Sequence, residues 1–188
     1  MMKVGITGSL ASGKSTASKI LSARRGPLFS ADDIVKKLYT NKSFKKLISK
    51  RFKISDTSNL KKILKKNFLI RKSNIKKLEK IIHPLVRKEM MKFSLKNRKK
   101  KFVFFEIPLL IENKLMKNFN IIFFIKAKKN IRLKRFIKKG GNKNFFTILN
   151  KKQLSDTKKI KHCDHVIVNE KNLTILKRKL LDIFKQYE

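Results

Sequence analysis

Cysteine is almost absent: Cys163 stands alone in 188 residues. No intramolecular disulfide can form, and a reducing, cytoplasmic setting is expected. Long apolar runs are missing too. No stretch of about 18 apolar residues occurs, so no membrane span is expected. A strand-like segment starts at once at the N-terminus, which predicts no leader peptide. Acidic residues are scarce, with 12 Asp plus Glu against 51 Lys plus Arg and a formal charge of +39. Such an excess first suggests nucleic-acid binding. The basic residues, however, fill solvent-type positions from Lys36 to Lys185, and most are lysine. No internal repeat, helicase-type motif or interleaved aromatic platform accompanies them. Isoleucine, asparagine and phenylalanine are abundant alongside lysine, and all four have A/T-rich codons, so coding bias accounts for the charge. No specific nucleic-acid partner is expected; a positive field still attracts polyphosphates and non-specific nucleic acid. The 41% hydrophobic content is ordinary for a globular chain of this length.

What is present starts with Gly8-Ser9-Leu10-Ala11-Ser12-Gly13-Lys14-Ser15, a complete G-x-x-x-x-G-K-[ST] phosphate-binding loop. Each fixed residue has a physical task. The glycines let the backbone curl so that its N–H groups face a di- or triphosphate. Lys14 reaches the β- and γ-phosphates, and the Ser15 hydroxyl is a Mg²⁺ ligand. Before the loop, Lys3–Thr7 reads as a buried strand. After it, Ser15–Leu21 reads as a helix, whose N-terminus adds free N–H groups and partial positive charge.

Further apolar runs at 101–106, 120–125 and 165–168, with a shorter one at 27–29, read as strands buried on both faces. Helical patterns separate them, which predicts βαβ units and a mainly parallel sheet flanked by helices. The expected core covers about 1–40, 101–137 and 162–188. Residues of about 41–100 carry helical spacing, as in Leu60, Ile63, Leu64 and Phe68, then Leu78, Ile81, Ile82 and Leu85. They read as a helical insertion suited to an acceptor site. Gly140-Gly141 marks a flexible turn, and about 138–161 reads as a basic lid over the phosphates. Leu173, Leu176, Leu180, Ile183 and Phe184 predict a final helix packing one face on the sheet.

Several side chains are candidates for chemistry. Asp32 and Asp33 follow the short second strand; either can orient a hydroxyl and take its proton, or cap a helix start, as Ser30 can. Glu106 ends a strand that is otherwise apolar, a fitting place for a carboxylate behind Mg²⁺. His83-Pro84 sits between helical stretches, with Pro84 suited to the first turn of a new helix and Arg87 one turn on. Arginine occurs nine times against a large excess of lysine, so Arg132 and Arg135 stand out for forked phosphate recognition or for a solvated basic face. His162-Cys163-Asp164-His165 looks like a metal cluster. Neighbours in an extended segment point to opposite faces, however, and no second cluster completes the ligand set.

In order along nearly the whole chain, these blocks resemble the dephospho-CoA kinase family. Gly8–Thr16 is similar to its P-loop, Ala31-Asp32-Asp33-Ile34-Val35 to its Asp-Ala-Asp segment, with Asp32 on the second aspartate. Leu78–Arg87, with His-Pro-x-Val-Arg inside it, and Glu106-Ile107-Pro108-Leu109-Leu110-Ile111-Glu112 resemble the two most specific blocks. Gln153, Lys159 and Cys163–Asn169 follow the C-terminal pattern. Ser30 replaces the first aspartate, Ser9-Leu10-Ala11 stands where Gly-Ile-Gly is common, Glu106 replaces aspartate, and Leu149 falls where many members carry a lid arginine. The resemblance implies a P-loop kinase that uses ATP and Mg²⁺ and takes dephospho-coenzyme A as acceptor. It implies Gly8, Ala11, Ser12, Gly13, Lys14, Ser15 and Thr16 around the nucleotide. Asp32 and Lys14 are then catalytic, with Arg135 as the better lid-side arginine. Asp32, His83 and Arg87 would meet the acceptor, and Ser15 and Glu106 the metal.

Overall fold

The computed structural model describes residues 1–55, 59–60, 63–64 and 73–188; Phe68 of the expected helical pattern lies outside them. The chain forms two compact units, Met1–Ser30 with Lys96–Glu188, and Ala31–Leu95.

The first unit is built on five parallel strands: β1 (Met2–Gly8), β2 (Leu28–Ser30), β3 (Phe102–Glu106), β4 (Ile121–Lys126) and β5 (His165–Val168). Their order is β2-β3-β1-β4-β5. All five stand where the apolar runs predict strands. Period-two alternation divides the side chains. Val4, Ile6, Phe102, Phe104, Ile121 and Phe123 join one buried cluster with Ala17 and Leu21 of α1 (Lys14–Ser22) and Leu176, Leu180 and Phe184 of α8 (Leu173–Phe184). The Phe184 ring lies 5.1 Å from that of Phe102 and 5.6 Å from that of Phe104. Each such ring contributes about 1.5–3 kcal/mol by burial. Phe105 points the other way, 5.8 Å from Phe29 and 5.5 Å from Phe119.

Between β4 and β5 run α5 (Lys129–Lys138), α6 (Lys143–Lys152) and the short α7 (Asp156–Ile160). Gly140 takes φ +80° with open space around its α-carbon, which suits the tight turn before α6. Side-chain caps start the later helices: Asn142 accepts from the Phe145 N–H, Ser155 from Lys158 and Asn172 from Ile175. Each cap contributes about 1 kcal/mol.

In the second unit the described residues include α2 (Ala31–Leu38), α3 (Lys42–Phe52) and α4 (Ser73–Lys96). Phe44, Ile48, Leu60, Leu64, Ile75, Leu78 and Ile82 are buried. The expected helix boundary at Pro84 is not there: Pro84 lies inside the 24-residue α4. Proline removes one N–H from the helix ladder and crowds the preceding turn. Here the apolar stripe runs on through half-buried Leu85, Val86 and Phe93. Burial on both sides of Pro84 outweighs that local loss.

Candidate active site

The 8–15 loop leaves the carboxyl end of β1, with β3 on one side of that strand and β4 on the other. Strand order reverses there, with the connections running to opposite sides of β1, and a crevice opens at such a point in parallel sheets. Gly8 has φ +152°, and a Cβ on it would sit 2.4 Å from the Ile125 carbonyl oxygen. Gly13 has φ +100°, and its Cβ would fall 2.2 Å from Asn169 Nδ2. Only glycine fits either place. Ala11 is held at φ +59°, where an L-residue is strained by about 1–2 kcal/mol. Ser9 and Leu10 need no such backbone, which explains their tolerance in a loop where glycine is common.

Gly13 is the N-cap of α1 and offers no side-chain cap. No capping side chain therefore competes for the amides of the first helical turn, which favour an anion. The buried Ser12 Oγ has no hydrogen-bond partner among the described residues. That is costly for a hydroxyl unless a ligand oxygen meets it, so the loop fits a polyphosphate. Lys14 is buried, and its Nζ donates to the Ser9 carbonyl at 2.8 Å. Thr16 is exposed in the same first turn.

Glu106 is in parallel register with Ile6 of β1 and is 3% exposed. It is therefore no surface carboxylate. Its Oε1 accepts from Ser15 Oγ at 2.5 Å and its Oε2 from Ser18 Oγ at 3.4 Å. Ser15 and Glu106, expected together from sequence, do meet. A hydroxyl and a carboxylate are hard oxygen donors of the kind Mg²⁺ prefers.

Around the loop stands a second ring of contacts. Arg135 Nη1 donates to the backbone carbonyls of Ser12 (3.3 Å) and Asn169 (3.1 Å). Asn169 Nδ2 donates to the same Ser12 carbonyl at 2.8 Å. Arg132 is buried and donates to Leu10 O, Asn150 Oδ1 and Ala127 O. Burial pulls its guanidinium below the ordinary value, while the Asp156 carboxylate acts the other way. Gln153 Oε1 accepts from the Leu10 N–H at 2.9 Å, and Asp156 Oδ1 from Ser9 Oγ. Leu149, where many family members carry arginine, is half-buried in α6.

Sequence reasoning singled out Arg135 but gave no site role to Asn169, Gln153 or Asp156. Asn169 had a faint signal, a polar residue directly after the apolar run of an edge strand. Gln153 and Asp156 had none in their own neighbourhoods.

In the Ala31–Leu95 unit, Asp32 is exposed in the first turn of α2. Asp33 faces Lys36 at 2.6 Å, an exposed ion pair one helical turn apart. His83 is half-buried in α4 and Arg87 exposed one turn later. The His162–His165 stretch is engaged in the fold. Asp164 Oδ2 accepts from the Ile122 N–H at 2.7 Å, and His165 Nε2 shares a hydrogen bond of 2.5 Å with Tyr187 Oη. Cys163 Sγ contacts the Lys159 carbonyl at 3.3 Å. Burial first, then the Asp164 charge, pushes its thiol up to about 12, which suits packing rather than nucleophilic work.

Residues 2–174 match the family model for dephospho-CoA kinase. The dephospho-CoA kinase of Bartonella quintana is 34% identical over 178 residues, covering 92% of this chain and 91% of the relative. The solved structure of TT1252 from Thermus thermophilus superposes with a TM-score of 0.78 at 25% identity, covering 98% of this chain and 97% of that one. The dephospho-CoA kinase structure from Campylobacter jejuni gives a TM-score of 0.66 at 22% identity, over 99% and 97% of the two chains. The phosphate loop on β1, the parallel sheet and these likenesses agree: the chain belongs to the dephospho-CoA kinase family.

Proposed function

We propose that this protein transfers the γ-phosphoryl group of ATP to the ribose 3′-hydroxyl of dephospho-coenzyme A, giving coenzyme A and ADP in the cytoplasm. The observation that carries this reading is the phosphate loop with its orphaned Ser12 hydroxyl, buried Lys14 and adjacent Ser15–Glu106 pair, in a chain of this family.

Gly8, Ala11, Ser12, Gly13 and Thr16 shape the cradle for the ATP phosphates. Lys14 trades its Ser9 carbonyl for phosphate oxygens and offsets negative charge between the β- and γ-positions. Bound Mg²⁺, held by Ser15 with Glu106 behind it, would neutralise further phosphate charge. Asp32 orients the 3′-hydroxyl and takes its proton as the oxygen bonds to the γ-phosphorus. The bond from that phosphorus to the β–γ bridging oxygen breaks, and ADP leaves. His83 and Arg87 bind the acceptor, Arg87 through the pyrophosphate. Arg135, beside Gly13 and already on loop carbonyls, stabilises the loop and the charge near it. Residues of about 138–161 exclude water, which otherwise competes as acceptor. In this reading about 1–40, 101–137 and 162–188 act as the core, about 41–100 as the acceptor region and about 138–161 as the lid.

Two substitutions test the roles. Asp32→Asn is expected to lower kcat by about 10²-fold or more, the scale of a lost general base, with ATP affinity nearly intact; activity within threefold of the parent removes Asp32 from the role. Lys14→Ala is expected to weaken both ATP binding and turnover, and unchanged kinetics contradict the nucleotide reading.

A further inference from the structure

Outside the phosphate loop, the most tightly buried charge of the first unit has no task in the mechanism above. Lys159 of α7 is fully buried, and its Nζ lies 2.6 Å from Glu112 Oε1 in the segment after β3. A buried ammonium is retained only with close charge compensation, so this pair fixes the position of α7. The same Glu112 oxygen accepts from the Leu154 N–H at 3.2 Å. One carboxylate oxygen thus holds both ends of the stretch 154–159, whose intervening residues are exposed or half-buried. At its start Gln153 receives the Leu10 N–H, and within it Asp156 receives the Ser9 hydroxyl. Ser9 and Leu10 belong to the phosphate loop itself.

We propose that Glu112 and Lys159 are positioning residues for the phosphate loop, acting through Gln153 and Asp156, which hold Leu10 and Ser9 in the nucleotide-ready shape. The proposal rests on the nucleotide reading above. It does not depend on the acceptor. If a loosened loop holds that shape for only a fraction of the time, the apparent Kd for ATP rises by the inverse of that fraction.

The test is calorimetric binding of ATP with Mg²⁺, with thermal melting alongside. Gln153→Ala is expected to raise Kd about 5–10-fold, the cost of one lost hydrogen bond to a loop amide. Its KM for ATP should rise more than its kcat falls. The combined Glu112→Leu/Lys159→Met variant removes both charges and keeps apolar volume, which buried pairs tolerate better than a single removal. It should raise Kd by at least that factor. Adding Gln153→Ala to it should change Kd by less than about twofold, because the pair variant already loosens the Gln153 contact. ATP binding by Gln153→Ala within twofold of the parent, or fully additive effects, would overturn the proposal. If the combined variant does not fold, Gln153→Ala alone decides. Failure of the parent itself to bind ATP removes the nucleotide reading, and this positioning role with it.

Discussion

The two units hold their candidate residues in different ways. Around the phosphate loop, residues distant in sequence meet: the Ser12 carbonyl with Asn169, and the side chains of Ser15 with Glu106 and Ser9 with Asp156, separated by 157, 91 and 147 residues. In Ala31–Leu95, contacts such as Asn41 with Phe44, Ser49 with Lys45 and Lys92 with Glu89 span three or four residues. Asp32 and Arg87 stand exposed there. The difference is one of preorganisation. A polyphosphate cradle needs fixed backbone amides and is built by the sheet's long-range packing. The proposed acceptor side presents charged groups exposed on helices.

That contrast can be broken most sharply at Gly13. Gly13→Ala places a methyl against Asn169 Nδ2 in a backbone region closed to alanine. ATP affinity by calorimetry should fall by more than about 100-fold, beyond the effect of one lost hydrogen bond. Retained affinity would mean the cradle is soft. Arg87→Ala probes the other side. Removing one exposed charged contact should raise KM for dephospho-coenzyme A about tenfold, the scale of a charge-assisted hydrogen bond, with KM for ATP little changed. An equal rise for ATP would erase the division of labour. The smallest effect is expected at Pro84. Pro84→Ala restores an N–H to α4, and a urea midpoint should rise by an amount worth about 1 kcal/mol. A fall would mean that the helix depends on the proline's own geometry.

Much of the fold was legible. The five strands are short apolar runs buried on both faces, a pattern that burial itself writes into composition. The phosphate loop was legible because its residues are contiguous and each has one task. The helix through Pro84 was misread, since local proline chemistry is visible in sequence and compensating burial is not. The ring of Asn169, Gln153 and Asp156 was missed for a related reason. Their partners lie in the loop more than 140 residues away, and beyond the faint signal at Asn169 nothing adjacent to them records that. The +39 charge first suggested nucleic acid and is spread along the chain, whereas the basic groups gathered at the loop are one lysine and two arginines.

The most direct measurement is ADP release from ATP and Mg²⁺ with and without dephospho-coenzyme A, with the product identified by mass. Acceptor-dependent ADP with one coenzyme A formed per ADP is the expected result. ADP release by folded protein that ignores this acceptor would contradict the proposed reaction.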